Sequence, residues 1–443
     1  MRSAAMSLTG WGRTTHSTSQ AVRPERMAEA ETLFGPPAPP NGLVIRGAGR
    51  SYGDGAMNGG GAALLTQRLD RILDFDAETG IVQVEPGVDF RRLLQVFLPR
   101  GFLVPVTPGT GFATIGGAVA NDVHGKNHES AGSFAQHVTE LDMVLPDGTR
   151  RTVTPESDLF RATAGGLGLT GFITRIAFRM KRVPGSAVRV REQRATNLDA
   201  FLAAMRDAAG ATYSVGWIDG TARGAKLGRG ILETAEPASD ANISPSSKSR
   251  RIPIDFPGFV LNPLSVAVFN EAYFHRVPSA GRIRTASYGK FLYPLDAIHE
   301  WNRIYGRAGF QQFQCVVPFD QGEAALRDLL EVIAASRQAS FLAVLKRMGP
   351  GRAGYLSFPA PGYTLALDFP QRPGIEALYA RLCDMTLKYG GRVYLGKDGL
   401  LGAAQFRHMY PEFPDFARVR AEIDPLGKLQ SDMSRRLRLH DAA

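Results

Sequence analysis

Residues Arg46 to Gly61 read RGAGRSYGDGAMNGGG and follow a short apolar run, Leu43-Val-Ile45. Seven of the fifteen residues from Gly47 to Gly61 are glycine. That density after a strand means a backbone that adopts positive φ, approaches something closely, or does both. Successive backbone N–H groups in such a loop form a concave nest for an anion, and a dinucleotide pyrophosphate is the obvious candidate. The spacing is not the Rossmann fingerprint: after Gly47 and Gly49 the third glycine would fall at position 52, which is Tyr52. A flavin-type loop on a different fold is the better reading, set against a Gly-rich surface turn that holds no ligand.

A second Gly-rich stretch strengthens it. Pro108 to His128, PGTGFATIGGAVANDVHGKNH, places Gly109, Gly111, Gly116 and Gly117 ahead of small residues that end in polar groups. Two such loops suit a long, bent cofactor held at several points. A third, GGLGLTG from Gly165 to Gly171, leads into a β-type run over 172–180.

At 443 residues the chain can form two or three domains with a large core. Hydrophobic residues at 44% and charged residues at 21% are ordinary for a globular protein. The only two cysteines, Cys315 and Cys383, are too few for a disulfide framework. Residues 1–20 lack the apolar core of a signal peptide, and no run of about eighteen apolar residues is long enough to span a bilayer. The expected location is cytoplasmic or peripheral at the inner membrane, with the periplasmic face left open.

The net charge of +10 suits a polyanion, a phosphorylated substrate or an anionic membrane surface. Nucleic acid is the weaker choice, because the basic residues carry little aromatic interleaving and no binding module is recognisable. The densest basic cluster, Lys248-Ser-Arg-Arg251, ends a stretch over 234–257 crowded with Ser, Pro, Ala and Asn. It reads as a flexible loop with a basic end, ordinarily a solvated charge run. Beside an active site it would suit a lipid phosphate presented from a membrane.

Hydrophobic periodicity predicts strands over 43–46 and 81–85, then a helix over 89–98. Strands over 141–145 and 151–154 are joined by the turn Pro146-Asp147-Gly148. Further on, amphipathic helices are expected over 198–208, 322–336 and 375–388, between β-rich runs such as 314–317 and 364–369. This is an α+β pattern without internal repeats. Its second part would form a large sheet covered on one face by helices.

The motifs RGAGRSYGD, TIGGAVANDVHGKNH, SAGSF, GLGLTGFITR, EWNRIYGRAGF, GGRVYLGKD and SDMSRRL occur in the order found in one known family. From Leu8-Thr-Gly-Trp-Gly-Arg13 to Leu437 the chain resembles the FAD-dependent decaprenylphosphoryl-β-D-ribose 2-oxidases, of the vanillyl-alcohol-oxidase superfamily. The resemblance implies a two-part FAD-binding domain of the PCMH type, with a substrate domain on a large antiparallel sheet inserted between the parts. The expected division is 1–184 for the FAD domain, 185–391 for the substrate domain and 392–443 for the segment that returns.

The resemblance also implies site residues. In superfamily members that attach FAD covalently through this loop, a histidine stands where this chain has Arg50, and an arginine cannot make that bond. FAD is therefore expected to bind non-covalently, with Arg46, Gly47, Ala48, Gly49, Arg50, Ser51, Tyr52, Gly53 and Asp54 forming the pyrophosphate loop. Gly109, Thr110, Thr114, Gly116, Gly117, Asn121, Asp122 and His124 would form the second wall, with Ile173 near the adenine and Tyr394 against the flavin. The implied substrate-binding residues are Gln312, Gln314, Lys346, Thr364, Ala366 and Lys397. Gln312 and Gln314, two apart on a strand, point to the same face. Thr364 and Ala366 depart from the Asn and Cys of other members.

A hydride leaves a sugar carbon for a flavin only as the hydroxyl on that carbon loses its proton, so a basic or polarising group must sit nearby. Lys397, His124 and Tyr52 are the candidates. Read without context, a lysine is usually a solvated surface residue, the histidine a satisfied loop residue and the tyrosine a core residue with a hydroxyl handle. No metal set is expected: no Cys or carboxylate accompanies His124 and His128 at ligand spacing. The activity implied is oxidation of a polyprenylphosphoryl ribose at the 2′-hydroxyl. An NADH-dependent short-chain reductase would be the partner that completes an epimerisation, and a peripheral contact with a membrane surface would bring the lipid. The rivals are an alditol or aldonolactone oxidase of the same superfamily and a non-catalytic flavoprotein.

Overall fold

The strand expected before the Gly-rich loop is present as Leu43–Arg46. The structure, a computed structural model, describes residues 3–239, 243 and 249–441. Leu43–Arg46 is the edge of a four-stranded sheet ordered Ser3–Thr9, His16–Val22, Ala62–Leu65, Leu43–Arg46, in which the last two pairings are parallel. A parallel neighbour needs a crossover, and the crossover between Leu43–Arg46 and Ala62–Leu65 is the glycine-rich loop itself.

A second sheet is antiparallel throughout, in the order Ile72–Asp76, Ile81–Val84, Phe172–Arg179, Val138–Val144, Arg150–Val153. Asp147 closes its last hairpin by accepting from the Thr149 amide at 2.9 Å. The helix expected over 89–98 runs Phe90–Phe97, and Asp89 caps it by accepting from the Arg92 amide at 2.7 Å. Phe90, Leu93, Leu94 and Phe97 are buried, the i, i+3, i+4, i+7 stripe of a helix laid on a core.

The third sheet has eight strands, each antiparallel to its neighbours: Arg282–Ser287, Ala187–Ala195, Gly230–Ala238, Tyr213–Ile218, Ala343–Met348, Gly362–Pro370, Phe310–Pro318, Arg392–Val393. Helices Leu198–Asp207, Phe319–Ser336 and Ile375–Lys388 pack on it. Phe313, Cys315 and Val317 share one core with Leu326, Leu329, Leu330 and Ile333 of the second helix. Each such leucine or isoleucine contributes about 1.5–3 kcal/mol, and Leu329→Ala would cost about 2–5 kcal/mol. The alternate residues Gln312 and Gln314 turn to the opposite face, where amides stay buried only if something polar awaits them.

Two segments sit differently from expectation. Arg392–Val393, assigned from sequence to the returning tail, is an edge strand of the large sheet against Cys315 and Val316. The helix expected over 322–336 starts at Phe319, directly after Pro318, because apolar periodicity marks only its buried turns. Beyond it the tail does reach the first sheet, with Leu429 bridged to Leu43 and the Gly59 amide donating to Asp432 at 2.8 Å. The basic loop expected over 234–257 begins later than that, because residues 234–238 end the strand Gly230–Ala238; Lys248 lies outside the described residues, and Arg250–Arg251 form a short strand beside Ile298–His299.

Candidate active site

The Gly-rich loop, the second Gly-rich stretch and the polar face of the large sheet meet around a cavity of about 790 Å³, in the upper part of the usual range for ligand sites. The first loop lines it with Gly47, Ala48, Gly49, Arg50, Ser51 and Tyr52. Gly49 holds φ +64°, a conformation side chains resist. Among the described residues, the backbone N–H groups of Ala48, Gly49, Arg50 and Ser51 donate to no protein acceptor. The Arg50 guanidinium lies 4.2 Å over the Trp11 ring, and its buried Nε has no hydrogen-bond partner. Four unpaired N–H groups in the loop that lines the cavity, with a guanidinium whose buried Nε is also unpaired, fit a diphosphate. Gly109, Thr110, Thr114, Gly117 and Asn121 line the facing wall, and a Cβ at Gly109 would meet only open space.

Other residues expected to touch the cofactor do not line this cavity, because their polar groups are taken up by the protein. Arg46 donates to the carbonyls of Ala56 and Thr9, each at 2.8 Å, and straps the loop from behind. Gly53 is packed so tightly that a Cβ would lie 1.9 Å from the Asp398 carbonyl oxygen. Asp54 receives a forked pair of bonds from Arg436 at 2.7 and 2.8 Å. Gly116 abuts Pro86, and Ile173 is a core residue of the second sheet. Asp122 accepts from the Ala135 and Ala353 amides and the Ser357 hydroxyl. These residues build the cradle without facing its contents.

At the other end of the cavity Tyr52, His124, Gln312, Gln314, Lys346, Ala366, Tyr394 and Lys397 come together. The sheet register explains the grouping: Gln314 and Val344 both flank Ala366, and Gln312 pairs with Asp368. Lys397 Nζ sits 3.7 Å from the Tyr52 ring centre, a cation–π contact. Tyr394 donates to the Asn121 carbonyl at 3.2 Å, and its ring lies 5.3 Å from that of His124. Thr364, expected in the pocket wall, instead accepts from Gln314 Nε2 at 3.1 Å from behind it.

Burial dominates the electrostatics. His124 is held well below the usual histidine range by desolvation, then by the charges of Lys346, His128 and Lys397, so its ring is neutral. Burial brings the Lys346 ammonium down to about 7 and that of Lys126 to about 8. Lys397 is lowered by burial and partly restored by Asp368, whose own carboxyl burial pushes up. Asp368 is not on the cavity surface. It accepts from Gln312 and from the Tyr305 hydroxyl, and so anchors the amide that does face the cavity.

Several lining residues were missed from sequence. Lys126 stood in the quoted HGKNH motif yet drew no role. Trp11, Trp217, Tyr273 and Asp296 also line the cavity; Asp296 accepts from Thr110 and the Gly111 amide at 2.7 Å, a contact across 185 residues that no local pattern announces. Among the described residues no group of three His, Cys, Asp or Glu side chains could hold a metal ion.

Residues 39–154 match the FAD binding domain family, and residues 307–437 match the D-arabinono-1,4-lactone oxidase family. Together with the cradle and the polar end of the cavity, this defines an FAD-dependent oxidoreductase of the PCMH-type, two-domain architecture. The chain is 37% identical to decaprenylphosphoryl-β-D-ribose oxidase of Mycolicibacterium smegmatis over 98% of its own length and 97% of that protein's. It belongs to that family. An uncharacterized protein from the mprA 5′ region of Streptomyces coelicolor is 34% identical over 80% of this chain and 100% of its own. L-gulono-1,4-lactone dehydrogenase of Mycobacterium tuberculosis is 23% identical over 95% of this chain and 96% of its own.

Proposed function

We propose that this chain oxidises the ribose 2′-hydroxyl of decaprenylphosphoryl-β-D-ribose to the 2′-keto sugar. That is the first half of an epimerisation to decaprenylphosphoryl-arabinose, the arabinose donor for cell-wall arabinan, and an NADH-dependent short-chain reductase would complete it. The observation that carries the reading is a flavin-type loop facing a cluster of buried amides and half-buried lysines, in a cavity that also has aromatic lining from Trp217 and Tyr273. A phosphorylated sugar with an apolar tail needs both surfaces. In this reading 1–184 and the tail after Val393 build the cofactor domain and 185–393 the substrate domain, with Lys397 of the tail reaching the substrate.

FAD, held non-covalently by the loop from Gly47 to Tyr52 and the facing wall at Gly109, Thr110 and Gly117, would supply a two-electron acceptor for the 2′-carbon's hydride. The protein's part is the proton and the orientation. Lys397 is the group assigned to take the hydroxyl proton, because burial lowers it to about 8 and so leaves a fraction of its amine unprotonated near neutral pH. Gln312, fixed by Asp368, and Gln314, fixed by Thr364, present amides to the sugar hydroxyls. Burial lowers Lys346 and Lys126, and a phosphodiester placed beside them would favour their protonated forms where water is scarce.

Anaerobic mixing with a polyprenylphosphoryl ribose should bleach the oxidised flavin absorbance. No bleaching with this substrate would refute the assignment. The match of residues 307–437 to D-arabinono-1,4-lactone oxidase favours an aldonolactone as the second reading. An aldonolactone oxidase would turn over in air and form peroxide without another electron acceptor.

A further inference from the structure

Most large apolar side chains that face solvent lie between residues 254 and 298. Phe259 is 77% exposed, Leu264 74% and Val268 62%. Leu264 and Val268 stand at i and i+4 on the helix Pro263–His275, whose opposite side is buried through Val266, Asn270 and Phe274. The helix thus carries two apolar faces, and the fold uses only one. The Asn262 side chain donates to the Phe259 carbonyl, so Phe259 is held just ahead of the same helix.

This face is continuous with the active site. Phe269, half exposed, stacks with Tyr273 at 5.7 Å, and Tyr273 packs against Trp217 at 4.7 Å. Tyr273 and Trp217 line the cavity, so an apolar ramp runs from the exposed helix inward. At the cavity mouth Arg250 is exposed, and Arg251, part of the cavity lining, is held by Glu300 through a forked pair of bonds at 2.9 and 3.0 Å.

We propose that this face docks on an anionic lipid bilayer, with Phe259, Leu264 and Val268 entering the headgroup region and Arg250 meeting lipid phosphates beside the Arg251–Glu300 pair. The ramp then leads the substrate's polyprenyl chain from the bilayer into the cavity, a role that rests on the polyprenyl-phosphate reading above. Apolar side chains combined with cations are what an interfacial site requires. A protein docking site would not need the ramp into the catalytic cavity.

The test is co-sedimentation of the FAD-loaded protein with vesicles of phosphatidylglycerol and phosphatidylcholine, and with phosphatidylcholine alone. The protein should partition onto the anionic vesicles, less at high salt. Leu264→Glu with Val268→Glu should lower that partition at least tenfold, and Phe259→Glu, outside the helix, should lower it independently. Both variants should keep their flavin and their bleaching rate with a short-chain, water-soluble prenylphosphoryl ribose. Parental protein that stays in the supernatant with every vesicle, or variants that bind as well as it does, would overturn the docking face. Vesicle-independent capture of the reductase lost in the same variants would assign the face to a protein and overturn the proposal as well. Failure of the parental protein to bleach with the short-chain compound refutes the substrate reading and the ramp's role, while sedimentation still decides the docking face.

Discussion

Lys346 Nζ lies 3.2 Å from His124 Nδ1, and Gln314 Nε2 lies 3.1 Å from Nε2 of the same ring. A neutral imidazole has one acceptor nitrogen, so it cannot accept from an ammonium and an amide N–H together. Either Lys346 is unprotonated and accepts from Nδ1–H, or the Gln314 amide turns its oxygen to Nε2–H. Both arrangements lie within reach near neutrality, because burial brings Lys346 to about 7. The proton on Lys346 therefore sets which face of Gln314 meets the substrate.

Lys346→Met should stabilise the folded protein most at the acidic end. The unfolded chain keeps the lysine proton up to its ordinary value of 10.5, the folded chain only to about 7. The unfolded state thus binds more protons in that window, and this group's penalty is full below about pH 7 and relieved as pH rises towards 10.5. The penalty is on the order of 5 kcal/mol before the lost hydrogen bonds are counted. Tm of the FAD-loaded variant should exceed that of the parent at about pH 6.5, by a margin that shrinks by about pH 9.5. A margin independent of pH would show that Lys346 does not titrate as a buried cation.

Arg50 bears on the attachment of the flavin. Acid precipitation should release FAD into the supernatant, and flavin held in the pellet would contradict non-covalent binding. Arg50→Ala should raise the dissociation constant for FAD by about tenfold or more, the worth of one charge-assisted bond to a phosphate.

Lys397→Met keeps length and apolar stem while deleting the charge. The variant should retain FAD, yet stopped-flow bleaching by substrate should slow by roughly 10²–10⁴-fold, the usual loss on removing a general base. Unchanged bleaching would remove Lys397 from the reaction. Loss of the flavin would make its role structural.

Both native thiols are shielded. Cys315 lies in the core between sheet and helices, with burial pushing it up to about 12, and Cys383 is buried and raised likewise. Iodoacetamide should add no mass to the native protein. Ala366→Cys, on the cavity surface beside Gln314, should gain a single adduct on intact-mass analysis.

What could be read from sequence was local, and what could not was distant. Alternation put Gln312 and Gln314 on one face and Cys315 on the other, because a strand's period of two leaves no other arrangement. The glycines of the loop announced a tight approach, but not which residues face the ligand. Arg46 and Asp54 look like ligand groups in RGAGRSYGD, and their actual partners, the Thr9 carbonyl and Arg436, lie far away in the chain. Asp368 was overlooked for the same reason: its importance comes from being buried beside Gln312 and near Lys397, and TLALDF alone cannot express that.

The fork between Asp54 and Arg436 has a consequence for how the chain matures. Arg436 also holds Asp398 at 3.0 Å, in the turn that carries Lys397. One late arginine thus pins both the cofactor loop and the catalytic turn, and it follows Asp54 by 382 residues. During synthesis the cofactor loop emerges early but has no counter-charge until Arg436 arrives. Flavin capture should then be a late event, open only to chains translated beyond Arg436, so that the yellow colour itself reports synthesis past that residue.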